Sequence, residues 1–130
     1  MKNRVRIKFD PSKLLKAVSK AERRYLFRAG GLLKTIARRS IKKQKAKSQP
    51  GTPPSSQTGN LRNAIWFDVN LHALDVVIGP RFTDMHEIGY LHEFGGTRNG
   101  AVYPARPYMG PAFDATVPQL PKIWKDLISN

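Results

Sequence analysis

With 130 residues, 23 Lys/Arg, 9 Asp/Glu and a net charge of +14, the chain has room for one domain and too little acid to balance its cations. It has no cysteine, which excludes disulfide staples and thiolate zinc sites and fits a cytosolic origin. No apolar run approaches the roughly 20 residues of a membrane span, and a start alternating charged with apolar residues does not read as a signal peptide.

The cations are gathered at one end. Residues 1–50 hold 17 Lys/Arg against Asp10 and Glu22, whereas 51–130 hold 6 against 7 acids. A basic half joined to a near-neutral half points to an anionic partner, either DNA or an acidic protein surface.

Val5, Ile7 and Phe9 alternate with Arg4, Arg6 and Lys8, the period of a half-buried strand with one basic face. Asp10-Pro11 reads as an N-cap followed by proline at the first helical position. From Ser12 to about Lys45 the period becomes helical. Leu14, Val18, Ala21, Tyr25, Ala29, Leu32 and Ile36 form one stripe, widened by Leu15, Leu26, Leu33 and Ala37. A continuous helix there would be about 50 Å long. Gly30-Gly31 near its middle costs on the order of 1 kcal/mol per glycine relative to alanine. A bend, a break or a close packing contact is therefore expected, and the unbroken phase of the stripe favours a bend.

Residues 46–60, rich in Ser, Gln, Thr, Pro and Gly, predict a flexible loop that packs no core. Leu61–Val69 and Ala73–Gly79 read as an antiparallel pair around Asn70-Leu71-His72, ended by Gly79-Pro80. Asp84–Phe94 predicts a short helix that stops at Gly95-Gly96, and Ala101–Tyr103 a further short strand. Pro111–Ile128 predicts a last helix with Phe113, Val117, Leu120, Trp124 and Leu127-Ile128 on its apolar face, bent or restarted at Pro118 and Pro121. Trp66, Phe67 and Trp124 are assigned to the core. The fold expected is a single α+β domain over 1–130. A small, mostly antiparallel sheet of three to five strands packs against one long helix, straight or bent, with loops projecting at 46–60 and 95–104 and a C-terminal helix.

Residues 90–113 stand apart, with four glycines, three prolines and five aromatics. They predict an aromatic turn, an exposed loop at 97–100 and a rigid Pro104-Ala105-Arg106-Pro107 corner. Arg106 is either an exposed loop arginine or a fixed guanidinium. In the second case it pairs bidentately with a carboxylate, Glu93 in the same subunit or one across an interface. His86-Glu87 and His92-Glu93 resemble halves of a metal site. Histidines six apart, however, lie about 240° apart on a helix rather than on one face. Both pairs read as polar residues at a subunit contact or at the surface. Gly30-Gly31 and Gly95-Gly96 lack the spacing of a phosphate loop, and no Ser/His/Asp set stands out. No catalytic residue, metal ligand or cofactor is assigned, and the chain does not read as an enzyme. Arg38, Arg39, Lys42, Lys43, Lys45 and Lys47 form the densest basic run. Acidic protein neighbours, DNA and solvent are all open as its surroundings. The run has no interleaved aromatics, which argues against stacking on a single strand.

Three short segments, in order, resemble a known signature. They are Thr58-Gly59-Asn60-Leu61-Arg62, then Tyr90…His92-Glu93-Phe94-Gly95-Gly96, then Pro104-Ala105-Arg106-Pro107-Tyr108-Met109-Gly110-Pro111-Ala112. Across roughly residues 20–128 the chain is similar to the tail-completion, or head-to-tail joining, proteins of long-tailed bacteriophages. The strand-like start and the basic first half are not part of that signature. The resemblance implies a structural virion protein, assembled in the host cytoplasm into a ring, expected to be sixfold, around the DNA channel. Its partners would be further copies, a head connector or head-closure protein, and the tail tube or tail terminator protein. Subunit contacts would then involve His92, Glu93, Phe94, Gly95, Gly96, Arg106, Pro107 and Tyr108, with Thr58, Gly59, Leu61 and Arg62 in a second loop. The other expectation is a sequence-independent DNA-binding or packaging accessory protein that uses the basic half.

Overall fold

The computed structural model describes residues 11–81 and 83–129, with the backbone alone at 11, 13–15 and 83–86. The strand expected at Val5–Phe9 and the Asp10 cap lie outside these residues.

Helix α1 (Pro11–Ser40) runs without interruption across Gly30-Gly31. Its stripe is buried at Ala21, Leu26 and Ala37 and half-buried at Leu32, Leu33 and Ile36. The helix stops short of the expected Lys45. Continuing it would stack Arg39 on Lys43 and Lys43 on Lys47 at the i, i+4 spacing where like charges repel. Instead the Ser40 hydroxyl donates to the Ala37 carbonyl at 2.7 Å, and Ile41 turns into the core. The lysines continue as a short strand, β1 (Lys42–Lys43), paired in parallel with β2 (Ser55–Ser56).

That pairing corrects the reading of 46–60 as a detached loop. Pro54 and Ser56 are buried, and the Gln44 amide donates to the Ser56 carbonyl. The expected strand start at Leu61 is also replaced, by a short helix, α2 (Asn60–Ala64), that buries Leu61 and Ala64 three apart on one face.

Strands β3 (Ile65–Asn70) and β4 (Asp75–Pro80) pair antiparallel, from Ile65 opposite Pro80 to Asn70 opposite Asp75. Asn70 Oδ1 closes the connection by accepting from the His72 and Ala73 amides, both at 3.0 Å. This hairpin packs on α1, with the Phe67 ring directly over Gly30. A Cβ at residue 30 would lie 2.4 Å from Phe67 Cδ2. Close packing is thus what the glycine provides, and helix propensity is overridden by the contact.

Helix α3 (Thr83–Phe94) ends at Gly95, whose φ of +73° and amide bond to the Leu91 carbonyl form a left-handed cap. Strands β5 (Gly96–Arg98) and β6 (Ala101–Tyr103) then make a hairpin. Its two-residue turn, Asn99-Gly100, has φ of +52° and +78°, the signs of a type I′ turn. The expected C-terminal helix is present but restarts at its prolines: α4 (Met109–Thr116), a 3₁₀ turn over Val117–Gln119, and α5 (Leu120–Ile128).

The fold is therefore α+β, with a C-terminal helical segment and strands that are mostly antiparallel. The strands do not form one sheet of three to five. Among the described residues they make three separate two-stranded ladders, one of them parallel. The core gathers Ala37, Ile41, Leu61, Ile65, Tyr108 and Ala112, where the end of α1 meets α2, β3 and α4. Trp66, expected in this core, is 37% exposed, whereas Trp124 is half-buried, edge-on to Tyr25 with ring centroids 5.6 Å apart. Among the described residues no helix is long and apolar enough to cross a membrane.

Candidate functional site

The three sequence segments that carry the resemblance meet at one place. A groove of about 710 Å³ opens between residues 45–60 on one wall and the β5–β6 hairpin on the other. Thr58 and Leu61 from the first segment, His92 from the second and Arg106 from the third all line it.

The Pro104–Pro107 corner ties the 45–60 wall of this groove to the end of α3 through hydrogen bonds. The Arg106 amide donates to the His92 carbonyl, and the Gly51 amide donates to Ala105 at 2.8 Å. Arg106 Nε donates to the Ser48 carbonyl at 3.0 Å. Gly95 makes the close approach possible. A Cβ there would lie 3.0 Å from both the Tyr103 oxygen and the Ala105 nitrogen, at a positive φ that side chains disfavour.

Of the alternatives open for Arg106, a pair with Glu93 of the same subunit is not formed. Glu93 Oε2 accepts from the Tyr108 and Met109 amides at 2.8 Å each, and Oε1 accepts from Gly110 at 2.9 Å. Glu93 thus reaches from α3 to cap α4, satisfying amides that the first turn of a helix leaves without partners. The Arg106 guanidinium instead donates to the Ser48 carbonyl. Tyr108 likewise moves from the expected subunit contact into the core, being 1% exposed. Burial, followed by the nearby Glu93 carboxylate, raises its pKa well above the ordinary phenol value and keeps it neutral. His92 is half-buried, and its pKa is lowered first by desolvation and then by the Arg106 guanidinium. At neutral pH it is therefore an uncharged imidazole.

The rest of the surface divides sharply. Phe94 and Tyr90, one turn apart with their rings tilted at 49° and centroids 4.8 Å apart, are 66% and 64% exposed, and Val102 on β6 is 80% exposed. Gly96 opens β5, and Pro107 is half-buried behind Arg106. Arg62 is half-buried on α2. Within the basic run, Arg39, Lys42, Lys43, Lys45 and Lys47 are exposed. Arg38 departs from the expected role. Its Nε donates to the Ile65 carbonyl at 2.9 Å and its Nη2 to Asn63 at 3.0 Å, so it staples α1 to the α2–β3 junction.

Sequence reasoning missed one cluster. Lys34 Nζ sits 3.9 Å from the Trp66 ring centroid, with the Arg81 guanidinium carbon at 4.5 Å and that of Arg38 at 5.5 Å. These cation–π contacts explain how a tryptophan remains at the surface of a chain this basic. The spacing between Lys34, Trp66 and Arg81 carries no local signal; only the packing of β3 on α1 brings them together. Among the described residues, no three His, Asp or Glu side chains are grouped to hold a metal ion. No protein-family model, curated protein or solved structure matches the chain.

Proposed function

We propose that the chain is a structural protein of a bacteriophage neck. Copies form a ring, taken as sixfold, between the head connector and the tail tube, with DNA passing through its centre. The role is mechanical, and no reaction is assigned. The observation that carries this reading is an apolar patch at the end of α3: Tyr90 and Phe94, in contact with each other, are each more than three-fifths exposed. Contiguous apolar surface of that kind is what subunit contacts cover. The ordered trio of motifs supplies the choice of particle. Negative-stain images of the purified protein, alone and mixed with isolated phage tails, test it. Rings, or particles seated on tail ends, are expected. A protein that stays monomeric at all concentrations and ignores tails overturns the reading.

Exposure of Arg39, Lys42, Lys43, Lys45 and Lys47 favours a second reading, a sequence-independent DNA-binding or packaging accessory protein. Its mark would be affinity that falls steeply with salt, in proportion to the phosphates neutralised, in a protein that is monomeric or dimeric.

A further inference from the structure

We infer that the groove between residues 45–60 and the β5–β6 hairpin binds an extended segment of a different protein, one that alternates carboxylate with apolar side chains. The inference deepens the assembly reading and rests on it only for the occupant being a neighbouring protein.

Charge comes first. Lys45, Lys47, Arg98 and Arg106 line the groove, and among the described residues no Asp or Glu does. The one ion pair bordering it, Arg98 Nε to Glu87 Oε1 at 3.5 Å, is open to solvent on both sides and readily exchanged. A polar group is also waiting. Ser48 Oγ is buried without a hydrogen-bond partner, in the residue whose carbonyl already holds Arg106. A carboxylate entering beside Arg106 would accept from that hydroxyl and from the guanidinium together.

The apolar part selects the class of ligand. Ile88, Leu91 and Val102 line the same groove, and they would gain nothing from a phosphate backbone. They do suit every second side chain of a strand, since successive residues point to opposite faces. Ser55-Ser56 of β2 and Ala101–Tyr103 of β6 both border the space, and each belongs to a ladder of only two strands. An extended segment between them meets strand backbone on either side. The groove's volume also lies in the range of sites that enclose small ligands or short peptide stretches.

A second copy of the chain does not fit. Among its acids only Asp84 and Glu87 fall within four positions of each other, and both belong to α3. The segment must come from elsewhere.

The test uses the full-length protein and a labelled eight-residue peptide alternating Glu with Val, read by fluorescence anisotropy. A peptide with Gln for each Glu should bind about tenfold more weakly or worse. The Lys47→Glu/Arg98→Glu protein should show a similar loss with an unchanged urea midpoint. If that protein does not fold, Lys45→Gln/Lys47→Gln carries the same comparison with a smaller loss. A DNA duplex of equal charge should not displace the peptide. No binding of the Glu peptide, equal binding of the Gln peptide, full affinity in the variants, or displacement by duplex each overturns the inference. Ring formation is scored on the same samples. Rings without peptide binding remove the groove's role and leave the neck reading, whereas peptide binding by a protein that never assembles does the reverse.

Discussion

The glycine- and proline-rich segment 90–113 is continuous in sequence yet consists of two physically opposite regions. In its second part Tyr108 and Ala112 sit in the core, and the α4 amides there are held by Glu93, although Phe113 is left exposed. In its first part Tyr90, Phe94 and Val102 face solvent. The comparison teaches that aromatic content alone does not tell an interface from a core. What separates them is whether the neighbouring polar groups find partners inside the protomer.

The sharpest way to break this contrast is Tyr108→Ala. Emptying a fully buried aromatic site should cost about 3–5 kcal/mol, seen as a large drop in the urea midpoint. A loss of only a few tenths would mean that Tyr108 is not core. Glu93→Ala leaves the α4 amides without their charged acceptor and should cost about 2 kcal/mol in the same assay, with the loss of helix signal. Were the Glu93 effect confined to assembly, its capping role would be wrong.

The two glycines of α1 give a finer comparison. Gly30→Ala forces a methyl into the Phe67 ring and should destabilise by about 1–3 kcal/mol. Gly31→Ala meets nothing within 4 Å and should stabilise by about 0.5–1 kcal/mol through helix propensity. Opposite signs at adjacent positions are the expected result of thermal melts on the pair; equal signs would contradict the Phe67 contact.

Acid provides a smaller effect. His92 has a folded-state pKa below its ordinary value of 6.5, so the unfolded chain takes up its proton first as pH falls. Stability should be complete above that value and decline below it, through the lowered folded-state pKa. His92→Asn should flatten this part of the pH profile, and an unchanged slope would dismiss His92 as its source. The smallest change in stability belongs to the apolar patch: Phe94→Lys should change the unfolding free energy by no more than about 0.5 kcal/mol.

Much of this architecture was legible in the sequence. The stripe from Ala21 to Ala37, the β3–β4 hairpin, the Gly95 stop and the proline restart at 118–121 all follow from local periodicity or backbone restriction. What escaped depends on contacts between distant residues. Pro54 looks like loop composition until β2 pairs with β1, and Leu61 looks like a strand residue until Ala64 joins it in the core. Glu93 and Arg106 carry opposite charges on adjoining segments, which made a mutual pair one of the alternatives. Backbone amides and a carbonyl outcompeted it because buried main-chain groups at turns and helix ends also require partners. Of the site itself, the three motifs were visible in order; their convergence on one groove was not.

The claim on which the account depends most is that the Tyr90–Phe94 surface exists to meet other molecules of this protein. Sedimentation velocity on the wild type and on Phe94→Lys, over a wide concentration range, addresses it directly. The account predicts a ring-sized species for the wild type and a folded monomer for the variant. A wild type that sediments as a monomer throughout, or a variant that still forms the ring, would contradict it.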